Sequence, residues 1–91
     1  MFRYKRGIDV PYEKQGYIHF ACRRFEELPR ERQEAIRTLC REAGGEHEEA
    51  LFEFVTTQDT ATAICQRHFI ASRTSLYRVV KRFYESWPDD L

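Results

Sequence analysis

The chain has 91 residues, of which 42% are hydrophobic, 33% charged and 14% aromatic. That length and mix describe one globular domain burying roughly 60–65% of its unfolded surface, and they exclude a disordered chain; no apolar run approaches the ~20 residues of a membrane span. The formal charge sums to zero but is unevenly spread: +4 over residues 1–25, −6 over 26–59, +5 over 60–84 and −3 over 85–91.

Met1 to Gly7 is basic, carries two aromatics and has no helical period. It reads either as an arm reaching DNA phosphates or a minor groove, or as an ordinary charged terminus. Val10-Pro11 sets an extended approach to a helix expected from Glu13 to Glu27, with Tyr17, Ile18, Ala21, Cys22, Phe25 and Leu28 as its apolar stripe. Pro29 suits the first position of a second helix, whose inner face is Ala35, Ile36, Leu39, Cys40 and Ala43 and which Gly44-Gly45 ends. Its other face mixes Arg and Glu and is expected to be solvated. A third helix is expected over Glu46 to Thr56, acidic at its start where the helix dipole favours negative charge. Leu51, Phe52, Phe54 and Val55 are more than one face needs, so Ala50 and the Phe pair could serve a second contact, either another helix or a partner chain, and the Phe52-Phe54 region is one candidate for self-association.

From Thr60 to Tyr84 there are five basic residues and no Asp or Glu. Thr60 or Asp59 can cap a short helix with Ala61, Ile64, Cys65 and then His68 or Phe69 on its apolar side. Ile70-Ala71-Ser72 breaks the phase. Ser72 can cap the next helix by accepting the N–H of Thr74 or Ser75. In that helix Leu76, Val80, Phe83 and Trp87 form the buried stripe, with Val79 flanking and Tyr84 at the rim. Thr74, Ser75, Arg78, Lys81 and Arg82 fall on the opposite face. Arg suits bidentate contact with guanine, hydroxyls adapt to base or phosphate, and Lys neutralises phosphate. The helix should close at Ser86-Trp87-Pro88, leaving a loose acidic tail.

This segment resembles helix-turn-helix DNA-binding domains: Ser72-Arg73-Thr74-Ser75-Leu76-Tyr77-Arg78 is similar to the opening of many bacterial recognition helices. Two departures are visible, one residue more than the common form between Ile70 and Leu76 and no Gly in the turn. Leu28-Pro29-Arg30-Glu31-Arg32 also resembles the helix opening in the promoter-reading region of sigma factors, an arrangement shared by small phage regulators. The resemblance implies sequence-specific binding of double-stranded DNA in transcriptional control, in a bacterial or phage-like setting. Thr74, Ser75 and Arg78 would read bases. Arg67, Arg73, Lys81, Arg82 and Tyr77 would hold phosphate. A homodimer on two half-sites is the usual mode for such proteins.

Other chemistry finds little support. His19 with Cys22 and Cys65 with His68 have one-face spacing for zinc, but both cysteines lie in phase with apolar neighbours and read as small buried hydrophobes. No metal, cofactor or small-molecule ligand is expected. No nucleophile is marked as activated and no phosphate loop occurs, so an enzyme is not expected. Three cysteines cannot all pair internally, which points to a reduced, cytoplasmic compartment. The expectation is an all-α domain of four to five helices over residues 1–91: a basic arm (1–10), a helical support (12–56) and a helix-turn-helix (59–87). The rival is a small helical interaction module without DNA binding.

Overall fold

The computed structural model describes Lys5 and residues 7–91. The chain is all-α: α1 (Tyr12–Arg23), α2 (Arg30–Gly44), α3 (Glu48–Thr56), α4 (Ala61–Arg67) and α5 (Arg73–Glu85), with 3-10 turns at Phe25–Glu27 and Gly45–His47. No helix among the described residues is long and apolar enough to cross a membrane.

The first helix stops four residues short of its expected end. The chain tightens into the 3-10 turn, and Gln33 donates to the Phe25 carbonyl at 2.8 Å, which lets Phe25 turn inward while the backbone swings toward Pro29. Pro29 is the capping residue rather than the first helical one; its carbonyl accepts from Arg32 and Gln33 at 3.0 Å. Gly45, at φ +54°, ends α2 in the conformation glycine adopts most readily. α3 then starts at Glu48, two residues later than the acidic run suggested, because Gly45–His47 forms its own tight turn.

One buried cluster draws on all five helices. Ile18, Phe25, Ile36, Leu39, Leu51, Val55, Leu76, Val80, Phe83 and Trp87, each expected inside, are buried. Two assignments in the aromatic set are corrected. Tyr17 is half-exposed and donates its hydroxyl to the Leu91 carbonyl at 2.8 Å, because the stripe facing the core runs Gln15, Ile18, Cys22, Phe25. Tyr84 is buried, not at the rim, since it follows Val80 by four residues and stacks edge-on with Phe83.

The surplus of apolar residues on α3 is partly met within the chain. Phe52 packs edge-on against Phe25 at 5.0 Å beneath the Arg37 guanidinium, and Phe54 meets Tyr77 at 6.3 Å. Of the two expected uses of this surface, another helix or a partner chain, contacts within the chain take up part of it, and both rings stay partly exposed. The N-terminal assignment also changes. Ile8 and Val10 are buried, so the core claims part of the segment read as an arm. The rest of that arm, residues 1–4 and 6, lies outside the described residues.

Candidate nucleic-acid interface

The connection from α4 to α5 is built by local hydrogen bonds. Thr60 Oγ1 accepts from the Ala63 N–H at 3.1 Å and starts α4; Ser72 Oγ accepts from the Thr74 N–H at 3.1 Å and starts α5. Both caps were expected from their residue types. At the end of α4 the Ile70 N–H bonds the Cys65 carbonyl at 2.8 Å and the Phe69 N–H bonds that of Gln66 at 3.4 Å. This paired closure requires a left-handed residue just past the helix, usually glycine. Here it is Phe69, at φ +56° and 95% exposed. Of His68 or Phe69, one was expected on the apolar side of α4: His68 is half-buried, while the left-handed turn carries Phe69 into solvent and sends Ile70 into the core.

A hub on α3 fastens the end of α4. Glu53 accepts from His68 at 2.5 Å and also from Arg67, which in turn reaches Asp59 at 3.1 Å. The His68 contact, more than those of Arg67, holds the Glu53 carboxyl below its usual range. Sequence reasoning passed over Glu53, although a lone acid inside the apolar run Leu51 to Val55 marks a side chain needing a partner.

With Leu76, Val79, Val80 and Phe83 buried, α5 turns its other side outward. Thr74, Arg78 and Lys81 fall within about 60° of arc at 100° per residue. These three, with Arg73 and Arg82 toward the edges, are exposed; Ser75 is half-buried and Tyr77 is held at one edge by Phe54. Arg73, Arg78 and Arg82 have no ion-pair partner among the described residues. Arg24, Arg30, Arg41 and Arg67 each face a carboxylate within 4 Å. Lys81 lies 3.9 Å from Glu85, a long and exposed pair of little strength. Arg67 therefore stands apart from the other expected phosphate ligands, since its charge is answered within the chain.

A cleft of about 640 Å³ runs beside this face, between α5 and the N-terminal residues Lys5, Gly7 and Ile8. Its far wall is fixed by a residue that the sequence reading did not single out. Gln15, wholly buried, accepts from the Lys5 N–H at 2.8 Å and donates to the Val10 carbonyl at 2.9 Å and the Lys5 carbonyl at 3.3 Å. Its phase with Ile18, Cys22 and Phe25 was the available signal. On the other side Glu85 accepts from the Asp9 N–H at 2.9 Å.

The cysteines and histidines do not form a centre: among the described residues no group of three His, Cys, Asp or Glu side chains is placed to hold a metal. Cys22, Cys40 and Cys65 are buried thiols, and burial pushes Cys40 up to about 12. No protein-family model, curated protein or solved structure matches the chain, so the functional reading rests on the residues themselves.

Proposed function

We propose that this chain binds double-stranded DNA, with α4 and α5 acting as a helix-turn-helix in transcriptional control and α5 entering the major groove. The observation that carries the reading is the outward face of α5: exposed guanidinium, ammonium and hydroxyl groups, with Arg73, Arg78 and Arg82 unanswered by any carboxylate among the described residues. Leaving three such cations unpaired in a chain with 15 acidic residues favours a polyanionic partner. In this reading Thr74, Ser75 and Arg78 meet base edges, while Arg73, Tyr77, Lys81 and Arg82 meet phosphate. Arg67 joins them only by giving up its carboxylates. The caps at Thr60 and Ser72 start the two helices, and the Glu53 hub ties the end of α4 to α3.

A salt-titrated binding assay on random duplex, followed by sequence selection, tests this. Specific binding appears as an enriched site and an affinity that falls linearly on a log-log salt plot. Absence of any complex at low ionic strength rejects the reading and leaves the interaction-module rival.

A further inference from the structure

The cleft beside α5 has a chemistry of its own. Thr74, Arg78 and Lys81 form one wall, Lys5 and Gly7 the other, and Ile8 and Val80 contribute apolar surface between them. None of the described residues lining it is acidic, the Glu85 carboxylate lying outside the lining at 3.9 Å from the Lys81 ammonium. Cationic walls, a hydroxyl and an apolar strip match the features of a sugar-phosphate backbone: the anionic oxygens, the polar edges and the deoxyribose carbons. A cleft that must contain an anion also needs both walls to stay put. Here the N-terminal wall is not left to chance. Gln15 holds it at Lys5 and Val10, Glu85 holds it at Asp9, and Ile8 and Val10 anchor it in the core.

Resting on the DNA-binding reading, we propose that this cleft seats a phosphodiester of the DNA strand bordering α5, gripped by Lys81 from the helix and Lys5 from the opposite wall, with Gln15 as the positioning residue for that wall and Arg78 left to the bases. The free state of Lys5 fits such a role. Lys5 borders two recesses. Its ammonium stands over the rings of Phe54 and Tyr84 at 5.6 and 5.8 Å, half-buried, in a smaller recess lined also by His19, Arg23 and Asp59, and binding would draw it from there toward α5. No carboxylate partner lies within 4 Å among the described residues; burial, and then the nearby Arg23, lower its pKa from 10.5. An incoming phosphate supplies the missing counter-charge. The N-terminal segment thus acts as a fixed jaw of the interface at Lys5, whatever residues 1–4 contribute beyond it.

The experiment uses the full chain and its selected duplex, with single phosphates replaced in turn by methylphosphonate. One position is expected where neutralisation weakens wild-type binding and also abolishes the effect of both Lys5→Met and Lys81→Met. On unmodified duplex each lysine variant should lower the salt slope by about 0.9. Gln15→Leu should lose the Lys5 increment alone while keeping the preferred sequence. A merely structural Gln15 would lower the melting temperature and leave the slope, read well below the transition, unchanged; that result overturns its positioning role. Should Gln15→Leu fail to fold, Lys5→Met still decides the cleft, since it leaves the buried amide in place. If wild type binds but Lys5→Met keeps the full slope, or the two lysines map to different phosphates, the cleft proposal falls and the α5 reading stands. If wild type binds no duplex, both fall.

Discussion

Phe69 offers the sharpest test of how the connection between α4 and α5 is built. Its side chain is 95% exposed, so truncating it removes no burial, and its backbone sits at φ +56°. A left-handed conformation costs an L-residue roughly 1–2 kcal/mol, whereas placing glycine there restores about 0.5–1 kcal/mol of unfolded-chain entropy that folding must overcome. The difference predicts that Phe69→Gly stabilises the protein by roughly 0.5–1 kcal/mol, which is about 3–6 °C in melting temperature for a domain of this size. Phe69→Asn should fall between the two, because its short polar side chain tolerates the same region. Phe69→Val should destabilise by about 1 kcal/mol, a branched Cβ being the least suited to positive φ. Thermal and denaturant unfolding followed by circular dichroism measure the series. A glycine variant less stable than the wild type, or a valine variant equal to it, would show that the turn is not strained and that the paired closure at Cys65 and Gln66 is misread.

The remaining expectations concern the face and its supports. Arg78→Ala should cost about 1–3 kcal/mol on the preferred site and relax the choice at one base; equal losses on all sequences would make Arg78 a phosphate contact. Lys81→Ala should lower the salt slope by roughly one, and an unchanged slope would remove it from the backbone set. Ser72→Ala should cost about 1 kcal/mol in unfolding free energy by freeing the Thr74 N–H, and a neutral result would show that water caps α5 equally well. Glu53 sets a pH dependence. Its folded carboxyl is held below the ordinary 4.5, so its stabilising contribution is full above that value and is lost as pH falls through the lower folded value. The stability gap between wild type and Glu53→Gln should therefore shrink on acidifying from about pH 4.5 downward, and a gap constant with pH would show that the carboxylate charge contributes nothing.

Much of this architecture was legible from residue order because it is local. The caps at Thr60 and Ser72 need only a hydroxyl at a helix start, and the stop at Gly45 needs only a residue at ease with positive φ. The stripe Leu76, Val80, Phe83 follows from helical period alone, and its complement, the basic face of α5, follows with it. Helix ends were less secure. The 3-10 turns at Phe25–Glu27 and Gly45–His47 form where the chain must change direction, which depends on what the next helix packs against.

What residue order alone determined, then, was helical content, the inner side of each helix and the uneven distribution of charge, all set by interactions within a turn or two of chain. Tertiary packing decided the rest. It chose Gln15 over Tyr17 for the interior, because only there can a buried amide satisfy the backbone of Lys5 and Val10 across the fold. It tied Arg67 to Glu53 and Asp59 while leaving Arg78 without a carboxylate partner among the described residues, although the two are the same residue type on adjacent helices. It also turned Ile8 and Val10 inward, so that a segment read as an arm became one wall of a cleft. Such choices rest on contacts between different elements of the chain, and helical period marks only some of them, as the phase of Gln15 with Ile18 and Cys22 does.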